Sequence, residues 1–307
     1  MPGPDVTADS LVDAELLARV GHLELFARGP MIGSVSGRHQ SPHKGSSVEF
    51  AEYRAYEPGD DLRRLDWRAW GRSDRFFVKE FEADTNLRLV AVVDASGSMR
   101  YAGQGGRSKL DVARKLVATL AQIALRQGDA AGLWVAGGGE TAPVPLPPRR
   151  RPSHLRAIAG TLASLEANGD TSLAETLHAA AEREQRRALF VVVSDLFAPA
   201  DALGDAFQHL AHRRHDVTAI QLLDRTETEF PFDRPTRFVD AEGGASIVAD
   251  PSTIARRYHA ALDRHMARLD EIARQARLDL RRVHLDDDLG TVLTELLAAR
   301  VGRRGQR

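Results

Sequence analysis

The residues best suited to chemistry lie in one short run, Asp94-Ala-Ser96-Gly-Ser98. One carboxylate and two hydroxyls at spacing two are hard oxygen donors. With a single charge among the three, they suit Mg²⁺ or Mn²⁺ better than a soft metal. Gly97 lets the turn fold tightly enough for the three oxygens to converge. A competing reading is that Asp94 and Ser98 merely cap the helix that follows. Two further oxygens stand downstream, Thr171 in Asn168-Gly-Asp-Thr171 and Asp195 after the apolar run 188–194.

The elements that must position these groups are readable as pattern. Leu87, Leu89, Val90, Ala91, Val92 and Val93 form an apolar run of the length and composition of a buried parallel strand, and it ends at Asp94. Residues 188–194, ALFVVVS, repeat the pattern and end at Asp195. If these strands are neighbours, Asp94, Ser96, Ser98, Thr171 and Asp195 share one pocket, at the carboxyl end of the sheet where open α/β folds bind ligands. Between and after them, strand and helix patterns alternate: helix 108–127, strand 130–136, a short strand near 142–146, a helix capped by Ser153 and one opened by Ser172-Leu-Ala-Glu175 as a capping box. Then come helix 201–213, strand 216–223, two β-like pieces near 238–239 and 246–248, a long helix from Pro251, strand 278–285 and helix 288–300. This order predicts an α/β fold with a doubly wound, mostly parallel sheet. It would follow an N-terminal helix, capped from Ser10 and closed by Gly29-Pro30, and a small β-rich subdomain. The expected division is 1–84 for the helix and subdomain and 85–307 for the sheet domain, with a hairpin insertion near 224–250.

Residues 50–84 interleave aromatics with charges of both signs, and Val78 to Phe81 reads as a strand feeding the central sheet. The segment is either a salt-bridged subdomain or a docking surface. His39 and His43 lack a third ligand for zinc. Pro147 to Pro152, PPRRRP, reads as a stiff basic link.

Bulk composition excludes several classes. The chain has no cysteine, so thiolate metal sites and cysteine catalysis are absent. Its net charge of −1 gives no global attraction for nucleic acid or anionic membrane. The acidic N-terminus does not read as a secretory signal, and no apolar run is long enough to span a bilayer; a cytoplasmic location is expected. No G-x-G-x-x-G follows the first strand and no P-loop is present. The arginines of the helix after Ser252 lie away from its apolar stripe, so a solvated face accounts for them.

The D-x-S-x-S run, followed by Thr171 and the strand-end Asp195, resembles the metal-ion-dependent adhesion site of von Willebrand factor A domains. The resemblance implies direct cation binding by Ser96 and Ser98. Thr171 would bind directly or through water, and Asp94 and Asp195 would hold the ion largely through water. The ion then favours a carboxylate from a partner protein. Asp170 and Leu196 stand where that pattern commonly has glycine. A narrower resemblance rests on Tyr56 to Trp67, YEPGDDLRRLDW, and on Val78 to Glu82, VKEFE. Together with the Asp94 strand these are similar to the bacterial family called domain of unknown function 58. That similarity implies a MoxR-type AAA+ ATPase as partner, in complex maturation or stress handling. The expected function is therefore non-enzymatic, cation-dependent protein binding with no catalytic residues. The alternative is a Mg²⁺-dependent phosphatase or phosphotransferase of the haloacid-dehalogenase type; it would need a second acid where Ser96 stands.

Overall fold

The computed structural model describes residues 11, 13–27, 49–55, 77–82, 87–103, 106–137, 143–244 and 246–302. His39 and His43, the Tyr56–Trp67 motif, Ser10, Gly29-Pro30 and most of the 50–84 segment lie outside the described residues.

Among the described residues, eight strands and seven α-helices build the regular part of the chain from Arg88 onward, after a short helix and a strand pair. Helix α1 is Ala14–Val20, and strands β1 (Glu49–Ala55) and β2 (Phe77–Glu82) pair antiparallel with each other. Strand β2 therefore belongs to its own two-stranded sheet and does not join the central one as expected. Helix α1 is shorter than the apolar pattern suggests. Asp13 caps it by accepting from the N–H groups of Glu15 and Leu16, and it ends at Gly21. Leu25 and Phe26 are buried outside the helix, so their spacing reflects packing and not helical continuation.

The central sheet contains β3 (Arg88–Ala95), β4 (Ala130–Gly137), β5 (Leu146–Arg149), β6 (Leu189–Ser194), β7 (Asp216–Leu223) and β10 (Asp279–His284). Their order is β10-β7-β6-β3-β4-β5, with β5 antiparallel to β4 and the remaining pairings parallel. The predicted fold class holds. Strands β3 and β6 are in register from Leu89 opposite Leu189 to Val93 opposite Val193.

Period-two alternation sorts these apolar runs onto two cores. Leu89, Ala91, Val93, Leu189, Val191 and Val193 pack with helices α2 (Lys109–Arg126), α3 (Ser153–Ser164) and α8 (Leu289–Gly302). Val90, Val92, Phe190 and Val192 pack on the opposite face with α4 (Leu173–Arg183), α5 (Ala200–His212) and α7 (Pro251–Gln275). Both faces being covered is why these strands read as unbroken hydrophobic runs. From β3 the chain moves to β4 and β5 on one side, and from β6 to β7 and β10 on the other. The carboxyl ends of β3 and β6 thus mark the switch point at which a crevice opens.

Three local expectations change. Pro147 and Pro148 lie inside β5, not in a link; an edge strand with a bulge tolerates missing N–H donors. Gly132 on β4 leaves the room, since a Cβ there would stand 2.7 Å from the nitrogen of Pro148. Ser153 is the first residue of α3 and not its cap, which is Pro152. Ser172 precedes α4 without capping it; its Oγ accepts instead from the N–H of Gly137 at 2.9 Å.

Strands β8 (Thr236–Val239) and β9 (Ser246–Ala249) pair as an antiparallel hairpin after the short helix α6 (Arg225–Glu229).

Candidate cation site

Asp94 is the hub of the pocket. It is buried in the penultimate position of β3, and its Oδ1 accepts from the N–H of Ser96 at 2.9 Å. Its Oδ2 accepts from the hydroxyl of Ser194 at 2.7 Å and from that of Thr171 at 3.4 Å. The chain then turns through a 3₁₀ segment, Gly97–Arg100, which sets the Oγ atoms of Ser96 and Ser98 3.1 Å apart. Asp94 and Ser98 do not cap α2: Ser108 does, in a capping box with Asp111.

Thr171 reaches the site because its loop is fastened to the end of β3. The N–H of Gly97 donates to Gly169 O at 2.9 Å, and that of Asn168 to Ala95 O at 3.0 Å. The Arg100 guanidinium also donates to Ala167 O. The bond from Gly137 to Ser172 ties the same loop to β4. Gly137 has a φ of +76°, and a Cβ there would crowd the nitrogen of Ser96 at 2.7 Å. That position needs glycine on both counts.

Asp195 follows β6 as expected, but its carboxylate is already engaged. Oδ2 accepts from the Lys109 ammonium at 2.9 Å and Oδ1 from the N–H of Phe197 at 3.2 Å. Lys109 is only 1% exposed and reaches Glu227 on α6 at 2.6 Å as well. Burial favours the neutral amine, but the attraction of Asp195 and Glu227 outweighs it and holds the Lys109 ammonium above its ordinary pKa. Leu196, next to Asp195, has a φ of +58°, the left-handed region that glycine occupies most readily. Its buried side chain packs into the second core.

Of the five predicted residues, Asp94, Ser96, Ser98 and Thr171 converge through direct hydrogen bonds. Asp195 is their neighbour in charge rather than in bonding. Burial foremost, and then the negative charge of Asp195, hold the Asp94 carboxyl above the ordinary carboxylate range. Two buried acids that repel each other form a place that a cation would stabilise.

The donor set fits a small hard ion. Adjacent ligands of an octahedral Mg²⁺ at its usual bond length stand about 3 Å apart, which is the Ser96–Ser98 separation. Among the described residues, no three His, Asp or Glu side chains gather as a metal cage, so hydroxyls would have to supply part of any coordination. Ser96, Ser98 and Thr171 would hold such an ion with Asp94, while Asp195 would contribute field through its Lys109-bound carboxylate.

Three participants escape the sequence pattern. Ser194 was countable as a strand-end hydroxyl beside Asp195, but nothing marks it as the donor to Asp94. Lys109 looks like an ordinary first-turn lysine, and Glu227 like an exposed helix acid. Only tertiary folding brings them together.

Fold and pocket together define an α/β protein with an oxygen-rich crevice at the switch point of a doubly wound sheet. The chain belongs to the family described as Protein of unknown function DUF58, whose model matches residues 52–268. An uncharacterized protein of Mycobacterium tuberculosis is 31% identical over 243 residues, covering 78% of this chain and 75% of the relative. An uncharacterized protein of Mycobacterium bovis matches to the same extent. Among solved structures, conserved hypothetical protein BatB from Bacteroides thetaiotaomicron aligns with a TM-score of 0.47 at 16% identity. That alignment covers 71% of this chain and 100% of the BatB chain. The SpRpn10 VWA domain aligns with a TM-score of 0.38 at 11% identity, covering 69% of this chain and 95% of that one. No helix among the described residues is long and apolar enough to cross a membrane.

Proposed function

We propose that the chain is a non-enzymatic binding module that captures a partner protein's Asp or Glu through a divalent cation, Mg²⁺ or Mn²⁺, held at Asp94, Ser96, Ser98 and Thr171. The observation that carries this reading is the convergence on Asp94. One buried carboxylate collects Ser96, Thr171 and Ser194, beside a pair of seryl hydroxyls at the spacing of adjacent ligands. A cation bound there would offer a partner's carboxylate an open coordination position. With Asp195 held by the Lys109 ammonium, a cation beside Asp94 would keep positive character toward an incoming carboxylate.

The expected partner is a MoxR-type AAA+ ATPase, in the cytoplasm, with this chain acting as adaptor in complex maturation or stress handling. The test is capture of that ATPase on the immobilised full chain in Mg²⁺ or in EDTA. Retention in Mg²⁺ that is lost in EDTA and in Ser96→Ala supports the proposal. Retention that ignores both refutes it.

A further inference from the structure

The β8–β9 hairpin leans over the cation pocket. A Cβ on Gly97 would stand 2.8 Å from the carbonyl carbon of Ala241 and 3.2 Å from Cα of Glu242. Gly97 separates the two seryl hydroxyls, so the backbone of Glu242 lies within a side chain's length of the pocket. Within the tip, the Glu242 N–H donates to Asp240 Oδ1 at 2.9 Å. Burial, followed by the charges of Asp170, Asp195, Asp94 and Asp240, disfavours the ionised form of Glu242, which puts its carboxyl in the field of the pocket's own acids. Among the described residues, Glu242 does not close with Asp94 and Asp195 into a three-carboxylate cage.

We infer that Glu242 is an in-chain carboxylate for the cation pocket, so that the hairpin tip supplies the anionic ligand a partner would otherwise bring and a partner must displace it. This rests on the cation-binding reading above. It adds a consequence: the same pocket has a closed state, with Glu242 engaged, and an open state, with the hairpin tip released.

Mn²⁺ itself is the probe. Its affinity for the full chain is measured by electron paramagnetic resonance, and hydrogen exchange is followed at the amides of 240–244. The wild type is compared with Glu242→Gln and Asp94→Ala. The expected result is that Mn²⁺ slows exchange at the tip of the wild type. Glu242→Gln should bind Mn²⁺ about tenfold more weakly or worse, as loss of a supporting carboxylate does elsewhere, and its tip should gain no protection. If Glu242→Gln binds Mn²⁺ within twofold of wild type and its tip is protected equally, the inference falls while the cation site stands. If the wild type binds no Mn²⁺, or Asp94→Ala binds it equally well, the site reading falls and takes the inference with it.

Discussion

Replacing Lys109 with methionine keeps most of the side chain's bulk and removes its charge. In the folded protein that leaves Asp195 and Glu227 facing each other across the space the ammonium occupied, with Nζ–O distances of 2.9 and 2.6 Å to lose. Lys109 and Asp195 are almost wholly shielded from water, so little solvent stands ready to take over. Breaking a buried ion pair from one side costs about 3–5 kcal/mol, because the orphaned charge keeps its desolvation penalty. For a chain of this size that corresponds to a fall in Tm on the order of 5–10 °C. Urea unfolding of wild type and Lys109→Met gives the difference directly. It should be insensitive to 1 M NaCl, since buried charges are poorly screened. The double variant Lys109→Met/Asp195→Asn should recover part of the loss, because it removes one orphaned charge. A single variant within about 0.5 kcal/mol of wild type would show that the ammonium is not the counter-charge of Asp195.

Other expectations follow from separate parts of the molecule. His215 accepts from the N–H of Ala188 and is pushed down to about 4, by burial first and then by Arg213 and Arg187. Its ring is neutral when folded but protonates near 6.5 when unfolded. Stability should therefore fall as pH drops from about 6.5 to 4 and level off below, by roughly 2 kcal/mol after allowing for solvent screening; His215→Gln should remove that part of the slope in pH-dependent urea melts. Gly97→Val drives a side chain into the backbone of Ala241 and Glu242. It should cost about 1–3 kcal/mol and open the 240–244 tip to limited proteolysis at unchanged far-ultraviolet dichroism. Arg300 is buried, donates at 2.8 Å to both Asp216 and Phe26 O, and also binds Thr218. Arg300→Met should lower stability by about 3 kcal/mol or more in urea melts, and an unaffected midpoint would count against that network.

Most of the architecture was readable because both faces of the sheet are buried. The β3 and β6 runs announce themselves as continuous apolar segments, and Asp94 and Asp195 stand out as the acids that end them. The hydroxyls Ser96, Ser98 and Thr171 were readable for a related reason: each lies within a few residues of an obvious boundary. Local caps were harder. Ser153 and Ser172 look like helix starters, but Pro152 takes the first role, and Ser172 spends its hydroxyl on Gly137, a partner 35 positions away. Pro147 and Pro148 misled because their cost depends on whether a strand is central or at the edge, which no local window contains. Lys109, Glu227 and Glu242 could not be found at all from periodicity, since their significance comes from charges contributed by other elements.

The outer strands of the central sheet also determine from which direction other molecules can approach. On one flank, two of the four residues of β5 are prolines and offer no N–H to an added strand. On the other flank, β10 carries adjacent arginines, Arg281 and Arg282. Such borders resist ribbon-to-ribbon stacking. Concentrated solutions should accordingly stay free of lateral polymers, leaving the rim formed by the strand ends as the natural landing ground for other proteins.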